Sequence, residues 1–248
     1  MKLINKYKSP NYNKRNNSKI KFVIIHYTAI NNYHEAITYL CDKKNKVSSH
    51  FLINQKGEIF SLVNEKYRAW HAGISYWCNY HDLNSVSLGI ELDYSLSKKN
   101  NKFSNKMMKS TCDLLKCLKN KYNISTNNVL GHSDIAPFRK KDPGKKFPWD
   151  LLVKNNVAYS VKKHNSNIVT QALNWFRYRN IKTNNQIALF ILCYIGYDIS
   201  YANNKKRIKK LIKVYQTHFM QKKINGNIDK NTTHMLINHF LDLVLTKN

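Results

Sequence analysis

The sharpest hydrophobic pattern in the chain is the run Lys21-Phe22-Val23-Ile24-Ile25-His26-Tyr27-Thr28. Alternation puts Phe22, Ile24, His26 and Thr28 on one face and Val23, Ile25 and Tyr27 on the other. With both faces apolar, the run predicts a strand covered on both sides, with its polar end emerging near Thr28. Ser87-Leu88-Gly89-Ile90-Glu91-Leu92-Asp93 predicts a second strand, with Leu88, Ile90 and Leu92 on one face and Gly89, Glu91 and Asp93 on the other. Val47-Ser48-Ser49-His50-Phe51-Leu52-Ile53 predicts a third, in which only one of Ser49 and His50 can face a given side. Met107, Met108, Leu114, Leu115 and Leu118 keep helical spacing and predict a helix over 106–121 packed on this sheet.

The pattern changes after Trp149-Asp150-Leu151-Leu152, where a polar stretch around Lys162-Lys163-His164-Asn165-Ser166-Asn167 reads as a linker. Helical periodicity then takes over and predicts helices across 168–179, 184–195, 203–220 and 230–244. Ile208, Leu211, Ile212, Tyr215 and Phe219 form an apolar stripe opposite Lys206, Lys209, Lys210 and Lys213, and Asp229 is placed to cap the last helix. The predicted organisation is a polar, loosely ordered lead-in over 1–19, an α/β domain over 20–155, a linker over 156–167 and a small all-α module of three or four helices over 168–248.

Three polar groups stand out against this pattern. The run Gly131-His132-Ser133-Asp134-Ile135-Ala136-Pro137-Phe138-Arg139-Lys140-Lys141-Asp142-Pro143-Gly144 holds an imidazole and a carboxylate ten positions apart, stiffened by two prolines, with Lys140 two residues before Asp142. Imidazole nitrogen and carboxylate oxygen are zinc-type ligands, and a catalytic zinc takes three protein ligands and leaves one position open. His26 offers a third, although a buried histidine satisfied by a backbone carbonyl accounts for His26 alone equally well. Glu91 is one of only four glutamates in the chain and lies inside an apolar strand. A buried carboxylate calls for a cation or an activated water beside it, or an ordinary ion pair with a lysine.

Composition changes the picture in one respect. The chain has 248 residues and a formal net charge of +28, from 42 basic and 14 acidic residues spread over both halves. Such a field attracts polyanions, but Lys, Asn and Ile are abundant throughout, as a base-composition bias would produce. Five cysteines, at 41, 78, 112, 117 and 193, make no metal-type pair and no disulfide framework. No segment approaches the ~20 apolar residues of a membrane span, and residues 1–8 lack the apolar core of a secretion signal.

Five segments in order resemble the type 2 N-acetylmuramoyl-L-alanine amidases, zinc hydrolases of peptidoglycan: the His26 strand, the Ser49-His50 strand, Ala69-Trp70-His71-Ala72-Gly73, Leu88-Gly89-Ile90-Glu91-Leu92 and the His132 to Gly144 loop. The resemblance covers residues 20 to about 150 and is nearest the subgroup whose third metal ligand is Asp, as at Asp142. It implies a central mixed β-sheet flanked by helices, and one zinc ion held by His26, His132 and Asp142. It also implies Glu91 as the group activating the attacking water, Lys140 as the stabiliser of the oxyanion, and peptidoglycan or muropeptides as substrate. Trp70, His71, Asn84 and Arg139 fall in segments that line the substrate groove in that family. Relatives that use a catalytic tyrosine carry it where this chain has Ser49, which places more of the work on Glu91. The helical pattern Tyr215-Gln216-Thr217-His218-Phe219, with Gly226, Asp229 and Thr232, resembles the small peptidoglycan-binding module often joined to such amidases.

The implied activity is hydrolysis of the amide between the lactyl group of N-acetylmuramic acid and L-alanine. A recognition protein on the same fold that binds muropeptide without cutting it is the alternative, against which the complete set of ligands speaks. A basic nucleic-acid-binding protein rests on charge alone and leaves the loop unexplained, so no nucleic-acid partner is expected. The wall-binding-like module favours the cell envelope, whereas the missing export signal and unpaired cysteines favour the cytoplasm.

Overall fold

A computed structural model of the protein describes residues 2–96 and 102–245; residues 1, 97–101 and 246–248 of the predicted organisation lie outside them. The chain forms two compact units, one from 1–75, 81–132 and 141–159, the other from 76–80, 133–140 and 160–248. In chain order the elements are β1 (Leu3–Ile4), β2 (Tyr12–Lys14), β3 (Phe22–Tyr27), α1 (Tyr33–Cys41), β4 (Phe51–Ile53), β5 (Ile59–Ser61), β6 (Tyr67–Ala69), α2 (Leu83–Val86), β7 (Ser87–Leu92), α3 (Asn105–Tyr122), β8 (Val129–Gly131), α4 (His132–Ile135), α5 (Trp149–Lys154), α6 (Ser166–Tyr178), α7 (Asn184–Ile195), α8 (Lys205–Phe219) and α9 (Lys230–Leu245).

The first unit is built on a six-stranded sheet of order β1-β5-β4-β7-β3-β8. All neighbours run parallel except β4 and β5, so the sheet is mixed. Central β3 is buried from Phe22 to His26, as its two-sided apolar pattern requires. One face carries Val23, Ile25, Leu88, Ile90, Leu92, Phe51 and Ile53 against the apolar side of α3, where Met107, Met108, Leu114, Leu115 and Leu118 are buried. On the other face α1 covers only one side: Ala36, Ile37 and Leu40 pack on Leu52, Phe60 and Leu62. The rest of that face, along β3 and β7, carries His26 and Glu91, which are register partners on adjacent parallel strands. Both lie at the carboxyl ends of their strands, where open α/β sheets place their binding sites.

Over its described residues, 2–19, the lead-in is more ordered than its polarity predicts. Leu3 and Ile4 pair with Ile59 and Phe60 at the sheet edge, and β2 pairs antiparallel with β6. Arg15 is 7 % exposed, and its guanidinium donates to the backbone carbonyls of Glu65, Asn84, Ser85 and Ser87. Carbonyls at strand and turn ends need donors, and a five-donor side chain supplies several at once. Hydropathy cannot register a cation buried for that purpose.

The second unit is helical. Its core joins Val169 and Phe176 of α6, Ile187, Ile191 and Leu192 of α7, Leu211, Ile212 and Tyr215 of α8, and Leu236, Ile237 and Leu241 of α9. Gln216 is fully buried and organises the turn before α9. Its Oε1 accepts from the backbone N–H groups of Asn225 (3.0 Å) and Gly226 (2.7 Å), and its Nε2 donates to Thr232 Oγ1 (3.0 Å). Residues 133–140 belong to this unit. Asp134, 1 % exposed, accepts from Tyr197 Oη at 2.8 Å and meets His218 Nδ1 at 2.8 Å, and Lys210 Nζ donates to Phe138 O. Among the described residues no helix is long and apolar enough to cross a membrane.

Candidate metal centre

β3 delivers His26 at its polar end, and β8 runs directly into α4, so that His132 follows the last strand residue. The chain then passes through 133–140 and returns with Asp142, which is 8 % exposed. His26 Nδ1 lies 2.9 Å from His132 Nδ1 and 3.1 Å from Asp142 Oδ2, and His132 Nδ1 lies 3.0 Å from the same oxygen. These three residues form a group whose potential ligand atoms all lie within 4.8 Å of one another. Two histidines 106 positions apart therefore meet one aspartate.

The donor set fits zinc. Edges of about 3 Å are close to the ~3.3 Å between donors that tetrahedral zinc bonds of about 2.0–2.2 Å imply. The outer nitrogen of His132, Nε2, lies 3.0 Å from the Ala72 carbonyl oxygen. A carbonyl only accepts, so Nε2 carries the proton and Nδ1 presents a lone pair to the triangle. His26 Nε2 meets His71 Nδ1 at 3.0 Å on its outer side. Burial alone would raise the Asp142 carboxyl, but its two imidazole neighbours, His132 and His26, outweigh it and hold the group well below the usual carboxylate range. An ionised carboxylate facing two ring nitrogens is a cation-ready arrangement.

Glu91 stands beside His26 across β3 and β7 and is half-buried. Lys140 is half-buried and Arg139 exposed, and the backbone N–H groups of both donate to Ala136 O. His71 is buried in the first unit against the strand, where its Nε2 meets Ser87 Oγ at 3.2 Å. Burial, then the neighbouring His26, lowers its pKa well below the ordinary histidine value. Asn84 is 6 % exposed, and its Oδ1 accepts from the backbone N–H of His71 (3.0 Å) and of Ala72 (2.7 Å). Trp70, half-exposed, points its indole N–H at Asn13 Oδ1. Ser49 is fully buried, and His50 is a core residue that accepts from Gly89 N–H on Nδ1. Ser87 and Gly89 carried no signal as site residues: one reads as a strand end, the other as the small member of a strand face. A cleft of about 1390 Å³ elsewhere in this unit, lined by Lys14, Arg15, Lys21, Lys66, Lys121 and Tyr122, holds none of these groups.

A mixed sheet that collects two histidines and an aspartate at its carboxyl edge, with a glutamate on the adjoining strand, is an α/β fold whose donor group could hold a metal ion. The profile of the N-acetylmuramoyl-L-alanine amidase family matches residues 16–145. The chain is 32% identical over 227 residues to the N-acetylmuramoyl-L-alanine amidase AmiD of Escherichia coli, spanning 86% of this chain and 80% of AmiD. It is 31% identical over 161 residues to the 1,6-anhydro-N-acetylmuramyl-L-alanine amidase AmpD of Haemophilus influenzae, spanning 57% of this chain and 86% of AmpD. Among solved structures, Escherichia coli AmiD in complex with the substrate anhydro-N-acetylmuramic acid-L-Ala-D-gamma-Glu-L-Lys matches with a TM-score of 0.75 at 29% identity, covering 96% of this chain and 93% of that one. AmpDh3 from Pseudomonas aeruginosa matches with a TM-score of 0.74 at 26% identity, covering 98% and 99%. The protein belongs to the N-acetylmuramoyl-L-alanine amidase family.

Proposed function

We propose that this chain hydrolyses the amide between the lactyl group of N-acetylmuramic acid and L-alanine of the stem peptide, with one zinc ion held by His26, His132 and Asp142. The observation that carries this reading is the closure of those three side chains into a triangle of 2.9, 3.0 and 3.1 Å edges. Zinc bound there would act as a Lewis acid and lower the pKa of water at its open position.

The remaining steps fall to the chain's own groups. Glu91, on the strand beside His26, accepts a proton from the attacking water as its oxygen adds to the amide carbonyl carbon. The carbonyl oxygen becomes an oxyanion, and the ammonium of Lys140 stabilises that charge. The C–N bond then breaks, the proton held by Glu91 passes to the alanine nitrogen, and the products are a lactyl carboxylate and a free peptide amine. Arg139, exposed on the same loop, would pair with a stem-peptide carboxylate, and Trp70 offers an aromatic wall. The substrate class is supported by two solved relatives that hold anhydromuropeptides, AmiD with its tripeptide and AmpDh3 with anhydromuramic pentapeptide. The helical unit would bind wall polymer and set the enzyme to work in the cell envelope. Retention on insoluble sacculi and cell fractionation test these two points.

Mass spectrometry of digests tests the reaction. Purified anhydromuropeptide and intact sacculi should each yield free stem peptide, with release abolished by a strong chelator and restored by added zinc. Release that survives complete metal removal would refute the mechanism.

A further inference from the structure

The outer side of the metal centre is as constrained as the inner side, and one short segment supplies it. Ser87 has a single hydroxyl proton, donated to Leu83 O at 2.5 Å, so Ser87 Oγ can only accept from His71 Nε2–H. With its proton on Nε2, neutral His71 presents a bare Nδ1 to His26, 3.0 Å away. His26 Nε2–H is therefore the donor, and His26 Nδ1 is left as a lone pair facing His132 and Asp142. The next residue does the same for the other imidazole, through Ala72 O and His132 Nε2–H. One buried carboxamide clamps both: Asn84 Oδ1 accepts the backbone N–H of His71 and of Ala72. Gly89 shows that the cradle is built for this ring, because a Cβ at that position would sit 2.6 Å from His71 Cγ.

We propose that His71 and Asn84 are positioning residues: the clamped pair 71–72 fixes, on both ligand imidazoles at once, which ring nitrogen is turned towards the metal. The proposal rests on the zinc reading above, and it moves His71 and Asn84 from the substrate groove to the metal's outer shell. Partners of this kind typically govern metal affinity by about 10–100-fold.

Chelator competition measures zinc affinity in wild type, His71→Ala, His71→Gln and Asn84→Asp. His71→Ala should bind zinc about 10–100-fold more weakly, with the KM of the zinc-saturated enzyme unchanged. His71→Gln, whose amide oxygen can accept from His26 Nε2–H, should recover part of the loss, and Asn84→Asp, which can still accept both N–H groups, should stay near wild type. Nitrogen-15 NMR of the zinc-free protein gives a readout that needs no metal: His26 should be the Nε2–H tautomer in wild type and a mixture in His71→Ala. Folding is checked by the unfolding midpoint, and if the Ala variant does not fold, the Gln variant and the wild-type tautomer decide. Unaltered zinc affinity in folded His71→Ala, a raised KM with affinity intact, or an Nδ1–H tautomer at wild-type His26 would overturn the proposal. Failure of wild type to bind zinc, with the Nε2–H tautomer present, would instead sink the metal reading and leave the positioning geometry standing.

Discussion

At the scale of single residues, where the fold leaves a side chain decides its chemistry. In the proposed mechanism Glu91 moves a proton and does not hold the ion. Glu91→Ala should therefore lower turnover by ~10²–10⁴-fold while zinc content, measured by atomic emission, stays at the wild-type level. Loss of metal together with activity would make Glu91 a ligand instead. Much at this scale was legible beforehand. His26 is polar where its strand is otherwise apolar, Glu91 is a scarce residue in a buried strand, and His132 and Asp142 share a loop stiffened by proline. The meeting of His26 with that loop was supplied by the resemblance, because no local pattern measures a contact across 106 positions. The resemblance offers His71 and Asn84 as substrate-groove residues; the contact of His71 with His26 and of Asn84 with the 71–72 backbone depends on a turn that hydropathy does not encode.

At the scale of elements, two features carry more than their appearance suggests. Gly89 lets the His71 ring lie on β7, and Gly89→Ala would push a methyl to within 2.6 Å of that ring. Overpacking of this kind costs about 1–3 kcal/mol, so the variant should lose stability in urea unfolding and zinc affinity together. A loss of stability alone would show that the ring can shift without consequence. Gln216 ties α8 to the turn before α9 through both ends of its amide. Removing it leaves buried N–H groups unsatisfied at about 1–3 kcal/mol each, and Gln216→Ala should destabilise the helical unit by at least about 2 kcal/mol in the same assay. Spans with strong periodicity matched their helices closely, as in 184–195 for α7. The edge strands β1 and β2 escaped notice because two- and three-residue strands have too few positions to show a period.

At the scale of the whole molecule, buried imidazoles set the acid limit. Burial, reinforced by the charge of Arg15, lowers His50 to about 3, and burial with the neighbouring His218 lowers His239 to about 3. In the unfolded chain both titrate near 6.5. Between these values the unfolded state binds protons that the folded state does not, so stability falls as pH falls. The contribution is complete above about 6.5 and lost towards about 3, on the order of a few kcal/mol per histidine. The unfolding midpoint, followed at fixed salt, should decline steadily across that window, and a flat profile would contradict the neutral assignments. Net charge of +28 adds self-repulsion that salt relieves, so ionic strength must be held constant.

The proposed mechanism requires that His26, His132 and Asp142 share one zinc ion. Anomalous X-ray scattering at the zinc edge, from crystals of wild type grown with equimolar zinc, tests it most directly. One strong peak should lie in contact with His26 Nδ1, His132 Nδ1 and Asp142 Oδ2, and none there in Asp142→Ala. A peak held by other residues, or full occupancy in a wild-type crystal with these three side chains turned away from it, would contradict the account.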